Sequence, residues 1–199
     1  KGQCFDTLTR TWTAMPSGEA GDTLEIVDAV VAVAWLQRHS QHPLRVPVAV
    51  IGPRDATSAQ LGAALRVGEL LADCGLVVIG DGGHGVTQAA CEGVRRVGGT
   101  SIGLLPGTDP ASANAYVGVI LPAGAGEASH AMIAQLAFCV IAIGDGPDVR
   151  SVVALGRRFG KRVIGLAGAA QAVAVVQVAD ARAAVETVAL AVLGMVPGA

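Results

Sequence analysis

The sequence predicts a doubly wound α/β fold: a mainly parallel sheet with helices on both faces, preceded by an N-terminal arm and helix. Three observations carry this expectation. From Val46 onward, short and near-continuous apolar runs alternate with helical patterns, and such runs suit strands covered on both faces of a parallel sheet. Helical stretches such as "SAQLGAALRVGELLADCG" and "VTQAACEGVRRVGG" stop at glycine, the usual way to end a helix through a left-handed residue. Three apolar runs also close on the same dipeptide, at Ile51-Gly52, Ile79-Gly80 and Ile143-Gly144, each ahead of a helical pattern.

Residues 1–45 differ from the rest. "CFDTLTRTWTAMPSGEAG" mixes Thr, Trp and Phe with turn formers, which predicts a hairpin or extended arm ending at Pro16 and Gly18. In "DTLEIVDAVVAVAWLQRHSQHP", Asp22 is a candidate cap, Leu24, Val27, Val30, Val31, Ala34 and Trp35 fall near helical spacing, and Pro43 stops the run. We expect one amphipathic helix there and a second unit over 46–199. Its strands are expected at "VPVAVIG", "LVVIG", "SIGLLPG", "YVGVILP", "FCVIAIG", "KRVIGLAG" and "AVVQVAD". The intervening helices are expected at the two glycine-ended stretches above, then "GEASHAMIAQLA", "VRSVVALGRRFG" and "ARAAVETVALAVLG".

Composition narrows the function. The 14 Lys and Arg against 16 Asp and Glu leave no basic surplus for a nucleic-acid backbone. No apolar stretch reaches the roughly 20 residues of a membrane helix, so neither nucleic acid nor membrane is an expected partner. Four cysteines, Cys4, Cys74, Cys91 and Cys139, lie scattered without a Cys-x-x-Cys pair, and no secretory leader is recognised ahead of them. A reducing cytoplasm suits them.

In a doubly wound sheet, ligands sit at the carboxyl ends of the strands, where the repeated loops fall. Gly80-Asp81-Gly82-Gly83-His84-Gly85 is a literal G-x-G-x-x-G, so Gly82, Gly83, His84, Gly85, Val86 and Thr87 are candidates to bring backbone N–H groups to a phosphate. The alternative is that the glycines only turn the chain and allow close packing. No acid ends the next strand to take a ribose hydroxyl, which disfavours a nicotinamide dehydrogenase. In "IGPRDATSAQL", Gly52, Pro53 and Arg54 form a second candidate loop; Arg54 would meet a phosphate, or else pair with Asp55 at the surface. Thr57 and Ser58 are helix-cap candidates. Pro106, Gly107 and Thr108 open a third loop, in which Thr108, Ser112 and Asn114 would bond a sugar or heterocycle, or simply reverse the chain. Gly144, Asp145, Gly146, Asp148, Val149 and Arg150 form the fourth. Neither His84 nor His130 has a Cys, Asp or Glu at a metal-ligand spacing on this reading, so no metal site is expected. No nucleophile elbow or Ser/His/Asp order is found.

These residues resemble the Lonely-Guy-like (LOG-like, SLOG) Rossmann superfamily, through "IGPRDAT", "GxxGVxxAAxxG" from Gly82 to Gly93, and "IGLLPGTDPASAN". The likeness spans Val46 to Gly194 and points to the subgroup with molybdenum-cofactor carrier proteins and nucleotide-binding proteins, some labelled lysine decarboxylases. The superfamily's hydrolases, which release a base from a nucleoside monophosphate, are characterised by Pro-Gly-Gly-x-Gly-Thr-x-x-Glu and an Arg on the preceding helix. Aligned on that loop, this chain has Gly144 at the Pro, Asp145 and Gly146 at the glycine pair, Asp148 at the third Gly, Val149 at the Thr and Val152 at the Glu. The Arg position falls at about Ser129, beside His130. Cleaving an N-glycosidic bond needs a carboxylate near the developing oxocarbenium ion, and Val152 supplies none. The decarboxylase label lacks a Schiff-base lysine, since only Lys1 and Lys161 exist.

The expectation is therefore a non-catalytic binding or carrier protein for a phosphate-bearing small molecule, a nucleotide such as AMP or the molybdenum cofactor. The alternatives are a nucleoside 5'-monophosphate phosphoribohydrolase with altered catalytic residues, and a scaffold with a decayed site. The apolar helices and the resemblance imply a homodimer or homotetramer.

Overall fold

The computed structural model describes residues 3–14, 27–169, 171–172 and 174–195. Strands β1 (Gln3–Asp6) and β2 (Thr11–Ala14) pair antiparallel as a hairpin, the first of the two forms expected for the arm; Pro16 and Gly18 lie outside the described residues. Helix α1 runs Ala29–His39, and its cap is Asp28, whose carboxylate accepts the Val31 N–H at 2.8 Å. The expected start at Asp22 is thus corrected within the described chain: Asp28 closes the N-terminal turn, while Asp22 and Leu24 lie outside the described residues. The chain then alternates strands and helices: β3 (Val48–Ile51), α2 (Ser58–Asp73), β4 (Val78–Gly80), α3 (Val86–Arg96), β5 (Ser101–Leu105) and β6 (Val119–Pro122). It continues through α4 (Ala128–Leu136), β7 (Cys139–Ile143), α5 (Pro147–Arg158), β8 (Arg162–Leu166), β9 (Val175–Gln177) and α6 (Ala181–Val192). Every strand and helix expected after Val46 is present.

Seven strands form one fully parallel sheet in the order β6-β5-β4-β3-β7-β8-β9. The chain adds β4, β5 and β6 outward on one side of β3, then crosses back to lay β7 on the other. The strand order therefore reverses between β3 and β7, and a crevice opens there at the carboxyl ends.

Successive strand residues feed opposite faces, as the period of two demands. Val48 and Val50 of β3, with Cys139, Ile141 and Ile143 of β7, join a core built with α1, α2, α3 and α6. Ala49, Ile51, Val140 and Ala142 join the opposite core, where Ile133 and Ala134 of α4 pack with Val149, Val152 and Val153 of α5. Both faces of the sheet are thus covered, which explains the near-continuous apolar strands. Helix α1 reaches the first core through buried Val33 and Leu36, and the hairpin is tied on by the Trp12 indole N–H, which donates to the Leu193 carbonyl at 2.7 Å.

Candidate functional site

Three strand-to-helix loops meet at the reversal point. Gly52 is the wedge: a Cβ there would lie 2.5 Å from the Ile143 carbonyl oxygen and 2.6 Å from Val86 Cβ, so only a residue without one lets the ends of β3 and β7 close against the start of α3. Gly85 has φ +69°, and a side chain on it would strike the carbonyl oxygens of Pro53 and Arg54. The Val86 N–H donates to the Pro53 carbonyl at 3.2 Å. These glycines therefore serve close approach between loops, one of the two roles anticipated for them.

The helix termini around this junction divide into two kinds. Helices α1, α2 and α6 are capped by side chains: Asp28, the reciprocal Thr57–Gln60 capping box, and Asp180. Helices α3, α4 and α5 begin at Gly85, Glu127 and Gly146, with no side-chain cap hydrogen bond among the described residues. An uncapped helix start leaves N–H groups without intrahelical partners at the positive end of the helix dipole, and an anion satisfies both. At α4 the first N–H groups, those of Ala128, Ser129 and His130, already donate to the Ala125, Gly126 and Glu127 carbonyls at 3.0–3.2 Å, which leaves α3 and α5 as the open starts at the junction.

Of the residues expected to bind a ligand, Gly52, Arg54, Thr87, Asp148 and Val149 line the crevice. Its remaining wall includes Asp81, His130, Ile133 and Val152. The enclosed space is about 20 Å³, room for about one water. Any larger ligand must therefore lie across the mouth unless the walls move. Arg54 is exposed and, among the described residues, forms no ion pair. The anticipated alternative, a surface pair with Asp55, is not formed.

Other candidates are used within the protein. Arg150 grips Asp145 with two N–H···O contacts, Nε to Oδ1 at 2.9 Å and Nη2 to Oδ2 at 2.5 Å. Oδ1 also accepts the Gly146 N–H at 2.8 Å. The Arg150 hydrogen bond, then that of Gly146, holds the Asp145 carboxyl below the usual carboxylate range, so this cation is already engaged. Gly144, at φ +71°, would meet the Gln60 amide and the Pro53 ring if it had a side chain. The exposed His84 ring is 2.9 Å from the Gln88 amide oxygen one turn along α3.

Pro106, Gly107 and Thr108 do not line the crevice. The Pro106 and Gly107 carbonyls brace the turn into α4, accepting the Gly126 N–H at 2.9 Å and the Gly124 N–H at 3.1 Å. Buried Asn114 donates its amide hydrogens to the Gly82 carbonyl at 3.0 Å and the Gly83 carbonyl at 2.8 Å, and its carbonyl accepts the Tyr116 N–H at 3.0 Å. It shapes the glycine loop from behind, with no hydrogen-bonding group left over for a sugar.

At the positions of the hydrolase acid and cation, Val152 is 2% exposed and packed in the apolar wall. Ser129 is buried, and the α4 side chains lining the crevice are instead His130 and Ile133. Glu127 stands three residues before His130, which is a metal-ligand spacing, contrary to the expectation that neither histidine has one. Glu127, His130 and Asp148 bring three ligand atoms within 4.8 Å of one another. His130 reaches the crevice from α4, which nothing local in the sequence marks, whereas Asp81 lies within the glycine motif as one of its variable positions.

Solved structures share this fold. The molybdenum cofactor binding protein of the phototrophic bacterium Rippkaea orientalis superposes with a TM-score of 0.68 at 28% identity, covering 73% of this chain and 96% of its own. The molybdenum cofactor carrier protein of Chlamydomonas reinhardtii gives 0.67 at 28% identity, covering 74% and 99%. In sequence, the chain is 30% identical over 119 residues to an uncharacterised protein of Archaeoglobus fulgidus, covering 60% of this chain and 78% of that one. The model of the SLOG cluster4 family matches residues 45–192, which takes in every loop of the site, and the chain belongs to that family.

Proposed function

We propose that this protein binds and carries a phosphate-bearing small molecule without converting it, the ligand being the molybdenum cofactor or a nucleotide such as AMP. One observation carries the reading: helices α3 and α5 start uncapped while the wall beside them has Val152 where a hydrolase needs its acid. Such a site attracts an anion and offers the reacting sugar no carboxylate at that position. The anion would rest on the first turns of α3 and α5, with Arg54 swinging over it and Thr87 beneath, while the rest of the ligand lies outside the narrow crevice. The relatives described as binding or carrying molybdenum cofactor support the same reading. We further propose a reducing cytoplasmic setting, in keeping with free Cys74, Cys91 and Cys139 in the core, and a homodimer or homotetramer as the working form.

Calorimetric titration with AMP, pyrophosphate and molybdenum cofactor, run beside an assay for free base from AMP and N6-modified analogues, tests this. We expect saturable binding of at least one, weakened about tenfold or more by Arg54→Ala, with no base released. Turnover abolished by Arg150→Ala would establish the hydrolase instead. Absence of any binding together with a stable oligomer would favour the scaffold.

A further inference from the structure

We propose that Glu127, His130 and Asp148 form a binding site for a divalent first-row transition ion such as zinc. Glu127 and His130 come from the start of α4 and Asp148 from the first turn of α5, so two separate elements converge on one point. In a tetrahedral zinc site with bonds of about 2.1 Å, neighbouring ligand atoms stand about 3.4 Å apart. The His130 Nδ1 to Glu127 Oε2 separation is already 3.5 Å, close to that edge. All three ligand atoms lie within 4.8 Å, so rotation of the outer carboxylates suffices to complete a face. Glu127 is 95% exposed and free to make that movement, whereas His130 is only 14% exposed and anchors the site.

The donor set also selects the ion. One imidazole and two carboxylates suit zinc, cobalt, manganese or iron in the divalent state, and disfavour soft monovalent copper. Three protein ligands leave at least one coordination position open toward the crevice mouth.

A second observation points to a cation. The Asp148 side chain is exposed at the crevice and, among the described residues, has no hydrogen bond or ion pair within the protein, so its oxygens are free to turn toward an ion. A bare carboxylate at this mouth would repel a phosphate arriving at the α3 and α5 termini; a bound divalent ion reverses that sign and can take a phosphate oxygen in its open position. This consequence rests on the carrier reading, whereas the metal site itself does not.

The test uses the full chain, stripped with a chelator, titrated with zinc chloride by calorimetry and with cobalt chloride by visible absorption. We expect one ion per chain, cobalt bands of a site with nitrogen and oxygen donors, and loss of affinity of about tenfold in Glu127→Gln and more in Asp148→Asn and His130→Ala. Glu127→Gln alters an exposed side chain and leaves the core intact, so its effect is read on a folded protein. No stoichiometric uptake by the unaltered protein, or uptake that Glu127→Gln and Asp148→Asn leave unchanged, overturns the proposal. Zinc binding without AMP or cofactor binding would leave the metal site standing and sink only the carrier reading.

Discussion

Asn114 uses both amide hydrogens and its carbonyl inside the protein, on Gly82, Gly83 and Tyr116. Replacing it by Ala leaves the Gly83 carbonyl without this donor and the Tyr116 N–H without this acceptor, while the Gly82 carbonyl keeps the residue-114 backbone N–H; the cost is about 1–3 kcal/mol, which urea denaturation of Asn114→Ala would register. The same substitution releases the glycine loop, so affinity for any ligand of that loop is expected to fall with it. The cysteines make a second prediction at this scale. Burial pushes Cys74 up to about 11 and Cys139 up to about 12, and raises Cys91 as well, from an ordinary value of 9.0. A folded-state value above the unfolded one means that the native state holds its proton more tightly. The stabilisation is therefore complete below pH 9 and declines as pH rises through 11 and 12, by up to about 1.4 kcal/mol per pH unit for each thiol that the unfolded chain has ionised. Denaturation measured from neutral pH to above pH 10 is expected to show that decline, shallower in Cys139→Ala. At about pH 8, native protein is expected to yield one reactive thiol, exposed Cys4, and all four only after unfolding.

Helices α2 and α3 lie backbone to backbone. A Cβ on Gly68 would overlap the Ala90 carbonyl oxygen, and one on Gly93 would overlap that of Leu65, so these two positions set how closely the helices approach. Gly68→Ala is expected to force them apart at a cost of about 1–3 kcal/mol, although alanine is the better helix former, whereas Gly62→Ala meets open space and is expected to stabilise by up to about 1 kcal/mol. The pair of thermal melts checks both signs. Sequence pattern distinguishes neither glycine from the other, since both interrupt the same helix and only the neighbour decides. It does place the elements themselves, because apolar runs are punctuated: Val48–Ile51 lies between Pro47 and Gly52, and Cys139–Ile143 ends at Gly144. It fails at the start of α1, where Asp22 and Asp28 both stand six residues apart ahead of apolar positions and the geometry of Asp28 selects the cap. It offers Thr57 and Ser58 as caps of α2, and the structure selects Thr57, with Gln60 completing a capping box and Ser58 as the first helical residue. Thr57→Ala should accordingly cost about 1 kcal/mol without touching anion affinity, because that terminus is already satisfied.

At the scale of the whole molecule, the site depends on strand order, which no local stretch encodes. Gly52, Arg54, Thr87 and Val149 were legible because they adjoin glycine loops at strand ends, while His130 and Val152 reach the crevice only because β7 returns to β3. Long-range pairing likewise decides which apolar residues remain uncovered. The apolar side of α6 is covered by α1 and α2 of its own chain, so its few charges do not call for a partner. The other edge of the sheet differs: β6 pairs only with β5 among the described strands, and its consecutive Val119, Ile120 and Leu121 are each at least 40% exposed. On nearby α4, Met132 and Leu136 are exposed as well. A bare apolar edge strand invites another strand or sheet, and soluble proteins usually charge, twist or cover it. This one carries no charge along Val119–Pro122. We therefore expect a closed homo-oligomer that covers β6, with light scattering giving twice or four times the 19.9 kDa chain mass. Ile120→Lys, which places a charge in the middle of that edge, should shift the mass to one chain or half the original assembly without unfolding the protein. A monomer in the unaltered chain, or an assembly indifferent to Ile120→Lys, would show that the edge is left bare and that any assembly uses another face.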